Sequence, residues 1–316
     1  MSFQDAVKMS KSLIFLEEII DNISSADKLH AKKVGRNAKI INEKYPDQFH
    51  ELLSLIHEYF EKLKITPERI SIDYLRMIND MRREGIYFLK NGKYRCENQQ
   101  IAYELVYSKP EIMSYYMHAL LISQVLWIHH FELFMFFGNR LNLLNKNDFI
   151  SNILDVGPGH GFFSYIVQKQ IPSYQRIDIV DISDTSLDMT KNIIGSDHGK
   201  INYFKTDIFE YEYSEKYDLI LLGEVIEHLD NPSGILKKLS SLLTEKGILW
   251  VTTPTNSPAL DHVYLFNSKE EVVSLIQDSG LDILDSCNYY AEEMDEKAAI
   301  RNKVTNLVGL FCKKKQ

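Results

Sequence analysis

The sequence predicts an α/β protein: a doubly wound, mostly parallel sheet of seven strands over residues 145–316, preceded by a mostly helical N-terminal domain, residues 1–144, with one small hairpin. Three observations predict it. Apolar residues recur at helical spacing up to about residue 144 and fall into short strand-like runs beyond it. Those runs alternate with helical stretches, as in a parallel sheet joined by crossover helices. The first run leads directly into a turn with three glycines, Gly157, Gly159 and Gly161.

In the N-terminal half, Leu13, Leu16, Ile19, Ile20 and Ile23 form one helical stripe, and Phe49, Leu52, Leu53, Ile56, Tyr59, Phe60 and Leu63 a second. Thr66-Pro67-Glu68 supplies a cap residue, a proline at the first helical position and an early acid, so a helix is expected from there to about Arg83, with Gly85 ending it. Asn91-Gly92 lies between two β-prone runs, Ile86 to Lys90 and Lys93 to Glu97. Both turn residues accept positive φ, so a hairpin is expected, and helix, helix, hairpin reads as a winged-helix-like unit. Residues 111–144 are apolar nearly all round and must be buried as a long helix or a helix pair.

Beyond Asn145 the expected strands begin at Ile153, Arg176, Ile201, Tyr217 and Gly247, with two more near residues 281–287 and 306–313. Helices are expected around residues 162–170, 183–194 and 232–243.

Composition bounds the function. With 316 residues, 45% hydrophobic and 25% charged, the chain has enough apolar material for two cores, which excludes global disorder. The longest apolar run, residues 119–138, is broken by Gln124, His129, His130 and Glu132, and no signal peptide opens the chain, so a cytoplasmic protein with no membrane partner is expected. Three scattered cysteines, Cys96, Cys287 and Cys312, offer neither a disulfide framework nor a zinc knuckle. Residues 1–150 carry 20 basic and 19 acidic side chains, residues 151–316 carry 16 and 25. A half so acidic gives no footprint for a phosphate backbone, so no nucleic-acid partner is expected.

The chemistry starts at the glycine turn. Glycine lets backbone approach a ligand that a Cβ would exclude, and Asp155 places a carboxylate at the mouth of the turn. A carboxylate there repels a pyrophosphate but attracts a cationic amino acid moiety. Asp181 ends the second strand, 20 residues beyond Gly161, where a carboxylate accepts both hydroxyls of a ribose. Asp207 ends the third strand and can accept from an adenine amino group. His228, just past the fourth strand, stands where a parallel sheet binds ligands, and imidazole as a side chain can exchange a proton in the physiological range.

On these residues, Asp155-Val156-Gly157-Pro158-Gly159-His160-Gly161, Asp181, Asp207-Ile208 and Gly223-Glu224-Val225-Ile226-Glu227-His228-Leu229, the chain resembles the class I S-adenosylmethionine-dependent methyltransferases, with a Rossmann-like sheet over about residues 145–316. The resemblance implies S-adenosylmethionine as cofactor. It implies that Gly157, Gly159 and Gly161 approach the methionine part, that Asp181 holds the ribose, that Asp207 and Ile208 frame the adenine, and that Phe162, Ile182 and Gly223 also belong to the cofactor site.

The stretch from Leu75 to Ile86 with Asn91-Gly92-Lys93-Tyr94 resembles the winged-helix dimerisation region of small-molecule O-methyltransferases of the hydroxyindole and plant phenolic type. That likeness implies a homodimer, a small-molecule acceptor near Tyr115, Tyr116, His118 and Trp127, and a histidine general base after the fourth strand. Here His228 is present, with His262 as a second catalytic candidate, but the Asp-Trp that follows the base in those enzymes is not. Oxygen is the expected acceptor atom, with nitrogen and carbon open. Two alternatives stand beside it. One is a metal-dependent RNA ribose 2′-O-methyltransferase, which the chain resembles through Glu224, Glu227, His228 and His262, although that family's paired histidines and Phe-Glu-Trp are missing; the leading reading holds no metal. The other is a winged-helix nucleic-acid-binding regulator. No Asn/Asp-Pro-Pro-Tyr/Phe follows the fourth strand, which argues against methylation of exocyclic amines on DNA bases.

Overall fold

The structure is a computed structural model that describes residues 3–145, 149–213 and 215–315. The chain divides into two compact units, residues 1–80 with 111–132 and residues 81–110 with 133–316.

The first unit is helical. It contains α1 (Phe3–Ala26), α2 (Lys28–Lys44), α3 (Pro46–Lys62), the first part of α4 (Pro67–Asn91), and most of α6 (Pro110–Leu126) with the first turn of α7 (Ile128–Leu144). The stripes read from the sequence are its core: Ile19, Ile23, Leu53, Ile56 and Phe60 are fully buried. Asp27 caps α2 through the His30 amide, 3.0 Å away, and Pro46 and Pro67 open their helices, where a missing N–H costs nothing.

The expected hairpin is not formed. Helix α4 runs through Gly85 and on to Asn91, so there is no wing among the described residues. Gly92, at φ +69°, takes the left-handed position just past the helix end, and its amide donates to Phe88 O at 2.7 Å. An Asn-Gly pair serves a helix C-terminus as well as a two-residue turn, because both need positive φ. After it come α5 (Gln99–Ala102) and a π-helical turn (Tyr103–Tyr107).

The second unit is the seven-stranded sheet, in spatial order β3-β2-β1-β4-β5-β7-β6. Its strands are β1 (Asn152–Val156), β2 (Arg176–Asp181), β3 (Ile201–Lys205), β4 (Tyr217–Gly223), β5 (Leu243–Thr255), β6 (Leu281–Tyr290) and β7 (Asn306–Lys314). All pairings are parallel except those of β7, which runs antiparallel to β5 and β6. Helices α8 (Phe162–Gln170), α9 (Asp184–Ile194), α10 (Pro232–Leu242), α11 (Lys269–Asp278) and α12 (Glu296–Arg301) connect them.

Strand alternation divides the core between two faces. Trp250 and Phe311 pack with Phe136, Phe137 and Phe163 on one side. Leu249, Val251, Leu310 and Cys312 pack with Ile235, Leu239, Val272 and Ile276 on the other. Both faces are covered, which is why these strands read as continuous apolar runs. Among the described residues no single helix is long and apolar enough to cross a membrane.

Gly309 of β7 shows how close the aromatic face is. A Cβ there would lie 2.5 Å from Trp250 Cη2 and 2.8 Å from Leu133 Cδ1. Gly309→Ala is therefore expected to destabilise the protein by about 1–3 kcal/mol through overpacking. Urea denaturation measures it; an unchanged midpoint would contradict this packing.

Candidate functional site

The site is built along the carboxyl edge of the parallel strands, on either side of β1. There the connections from β1 and β4 leave in opposite directions and open a crevice. The turn after β1 needs glycine for two reasons. Gly157, Gly159 and Gly161 have φ of +64°, +56° and +77°, a region where L side chains are strained. A Cβ would also stand 2.6 Å from Val225 Cγ2 at Gly157 and 2.8 Å from Thr190 Cγ2 at Gly161. The turn is tied down by Gly157 N–H to Val180 O at 2.9 Å and by Thr190 Oγ1, which donates to Gly159 O at 3.0 Å.

Asp155 lies beneath this turn, 2% exposed, and accepts the Ser164 hydroxyl at 2.6 Å. Burial, aided by the Asp181 carboxylate, pushes its pKa up to about 7. Asp181 ends β2, accepts the Ser183 amide at 2.7 Å and is likewise pushed up to about 7 by burial. Asp207 follows β3 and accepts the Phe209 amide at 2.8 Å. Ile182 is exposed and Ile208 is buried. Phe162 is fully buried; its ring packs against Phe134 and His160. Gly223 closes β4 against Phe163, which a Cβ would approach to 2.8 Å.

Glu224 carries the chain out of β4 at φ +56°, a conformation that costs a non-glycine residue on the order of 1–3 kcal/mol. Thr252 of β5 holds it there. Its carbonyl accepts the Glu224 amide at 3.1 Å, while its hydroxyl accepts the same amide at 3.0 Å and donates to Glu224 Oε1 at 2.8 Å. Burial pushes the Glu224 pKa up to about 7.

A 3₁₀ turn, Ile226–His228, follows. Glu227 is buried, and Oε2 accepts the Thr253 hydroxyl at 2.9 Å while Oε1 is buried with no hydrogen-bond partner. Burial, then the neighbouring Glu224 carboxylate, raises its pKa well above the ordinary range. His228 Nδ1 is 3.0 Å from the Asp261 carbonyl, and His262 Nδ1 is 2.5 Å from the Ser257 carbonyl. A carbonyl only accepts, so each Nδ1 carries a proton, and in the neutral ring the lone pair is on Nε2. The two rings meet edge to face at 4.9 Å. Burial, and then His228, lower the His262 pKa to about 4, so His262 is neutral at physiological pH. One ligand atom each from Glu227, His228 and His262 falls within a 4.8 Å cluster.

The structure thus brings His228 and His262 together with Glu227, and places Asp155, Asp181 and Asp207 at successive strand ends. Tyr115, His118 and Trp127 belong to the helical unit, where their polar atoms have partners: Tyr115 Oη donates to Asp80 at 2.5 Å, His118 Nδ1 is 2.8 Å from Asp73, and Trp127 Nε1 donates to Tyr74 Oη at 2.8 Å. Tyr116 meets Tyr115 edge to face in the same unit. Sequence reasoning missed three residues around the imidazoles: Asp261, Tyr94 and Tyr107. Tyr94 Oη accepts the Ser257 amide at 2.9 Å and its ring meets His262; Tyr107 Oη donates to Asp261 Oδ2 at 2.8 Å and its ring meets His228. Only the adjacency of Asp261 to His262 was visible in the sequence.

Comparison with known proteins gives one family, described as Methyltransferase domain, matching residues 127–286. Malonyl-acyl-carrier-protein O-methyltransferase 2 of Ilyobacter polytropus is 31% identical over 110 residues, 35% of this chain and 42% of that protein. Ubiquinone biosynthesis O-methyltransferase of Rickettsia bellii is 35% identical over 103 residues, 32% of this chain and 41% of that protein. The chain thus spans about two fifths of the length of these two relatives. Among solved structures, the N-methyltransferase NodS of Bradyrhizobium japonicum aligns at 16% identity with a TM-score of 0.43, over 58% of this chain and 87% of that one.

The raised carboxyl groups, Asp155 and Asp181 among them, set a pH dependence of the ligand-free fold. Folded pKa values of about 7 for Asp155 and Asp181 lie above the ordinary 3.8, so the stability they contribute is full below about pH 4 and is lost as pH rises through 7. The melting temperature without ligand is expected to fall by about 4 °C or more between pH 5.5 and 8. Asp155→Asn is expected to flatten that slope. A profile that rises over the same range would contradict the burial of these acids.

Proposed function

The chain belongs to the Methyltransferase domain family, and from that membership we propose that it moves a methyl group from S-adenosylmethionine to a hydroxyl oxygen of a small-molecule acceptor. One observation carries the choice of reaction. The His228 Nδ1 proton is committed to the Asp261 carbonyl, which leaves Nε2 as a basic lone pair on the rim that also holds the glycine turn and Asp181. The names of two relatives, both O-methyltransferases, support an oxygen acceptor.

The residues divide the work by chemistry. S-adenosylmethionine supplies an electrophilic methyl carbon on a cationic sulfonium. Gly157, Gly159 and Gly161 offer backbone without side chains to its amino acid part, and Asp155 and Asp181 contribute negative charge once ionised. Asp181 accepts from ribose hydroxyls, while Asp207 with Ile208 borders the adenine. His228 Nε2 would take the proton of the acceptor hydroxyl, leaving its oxygen nucleophilic toward the methyl carbon that the cofactor would supply. His262, held neutral beside it, keeps a second positive charge away from that base.

A specific observation favours a second reading. Glu227 Oε1 is a buried carboxyl oxygen without a hydrogen-bond partner, 3.8 Å from His228 Nε2, and both imidazoles donate Nδ1–H to backbone carbonyls, the arrangement by which metal-ligating histidines are held. Glu227, His228 and His262 therefore fit a divalent cation, whereas the Glu224 carboxyl is held by the Thr252 hydroxyl. A cation there would act as a Lewis acid on the acceptor oxygen and lower the pKa of its hydroxyl.

One measurement tests His228 and a second separates the two readings. His228→Ala is expected to slow turnover by about 10²-fold or more with cofactor affinity nearly unchanged; full activity would end its role as base. Turnover is expected to survive a chelator. Loss on chelation with recovery on adding Mg²⁺, Mn²⁺ or Zn²⁺ would establish the cation instead.

A further inference from the structure

We propose that Asp261 and Tyr107 are positioning residues for His228: the phenol hydrogen-bonds the Asp261 carboxylate, and Asp261 faces the imidazole with its backbone carbonyl and that carboxylate, which keeps the His228 proton on Nδ1 and leaves Nε2 on the side of Glu227. The proposal rests on the reading of His228 as the base. Asp261 offers two acceptors to one ring nitrogen, its backbone oxygen at 3.0 Å and its Oδ2 at 3.5 Å from Nδ1. Imidazole in water prefers its proton on Nε2, the tautomer that would leave no lone pair there for a base. The fold therefore has to enforce the rarer form, and two oxygens facing Nδ1 do so.

Asp261 needs an anchor of its own. It lies in the connection between β5 and α11 and is 2% exposed. The Tyr107 hydroxyl donates to Oδ2 at 2.8 Å, and the Tyr107 ring stands edge-on to the imidazole at 5.9 Å and 86°, so one side chain restrains both partners. Tyr107 is itself held. It ends the π-helical turn, a feature frequent at functional sites, which Ser108 N–H closes onto Tyr103 O at 2.8 Å. Upstream in the same segment, Tyr94 Oη accepts the Ser257 amide at 2.9 Å and Gln99 N–H donates to Asp230 Oδ1 at 3.2 Å. Residues 92–110 are thus pinned to the rim of the sheet at three points, of which the Tyr107 contact is the one that reaches the base.

Tyr107→Phe keeps the ring and deletes the hydroxyl; Asp261→Asn keeps the backbone carbonyl and the side-chain size. In the full-length protein, kcat is expected to fall about 10-fold in the first and about 10²-fold in the second, with acceptor KM and cofactor affinity within about twofold of wild type. The ¹⁵N resonances of the His228 ring are expected to show Nδ1–H in the wild type and a shift toward Nε2–H in both variants, a readout that loss of packing alone would not move. Unchanged kcat or an unchanged tautomer in Tyr107→Phe would overturn the proposal, whatever the folding of Asp261→Asn. His228→Ala measured alongside separates the two ideas. Wild-type turnover in that variant would end the reading of the base, while the ring nitrogens, which need no turnover, still decide whether Asp261 and Tyr107 fix the tautomer.

Discussion

The parallel pairing of β1 with β2 on one side and β4 on the other is the constraint on which the rest depends. Because the strand order reverses across β1, the backbone must leave its end in a turn too tight for side chains. Every group assigned to ligand binding is delivered to the same rim by a neighbouring strand. Asp155, Asp181, Asp207 and Glu224 lie at or just past the ends of β1 to β4. The sheet sets where these residues are; their chemistry follows from what surrounds them there.

They are buried or half-buried there, and the ionisable groups respond in opposite directions. Burial raises the acids at positions 155, 181, 224 and 227 and lowers His262. In both cases the neutral form is favoured, so without a ligand the rim carries less charge than ordinary acids would. A cationic ligand reverses the balance, because its charge repays the ionisation of the acids beside it. A site of this kind discriminates between ligands by charge.

The doubly wound sheet was legible because its signals are local: strand-length apolar runs, the glycine turn and acids at strand ends need only a few neighbouring residues. The hairpin was misread because Asn91-Gly92 satisfies two structures with the same dihedral requirement, and the pull of a continuous helix through Gly85 is invisible in so short a window. Phe162 was expected near the ligand because it follows the glycines, yet helical phase turns its ring into the core beside Phe134. Tyr107 and Asp261 were beyond reach of sequence reasoning. They meet across 154 residues, and only the folded path of residues 92–110 over the rim brings the phenol to the carboxylate.

The central claim is that this acidic, glycine-lined rim receives a cationic sulfonium cofactor, and calorimetric titration of the protein with S-adenosylmethionine at pH 8 and pH 6 tests it most directly. The account predicts one site per chain, tighter at pH 8, with proton release on binding at pH 6 as Asp155 and Asp181 ionise. No binding at millimolar cofactor, or affinity that rises on acidification, would contradict it.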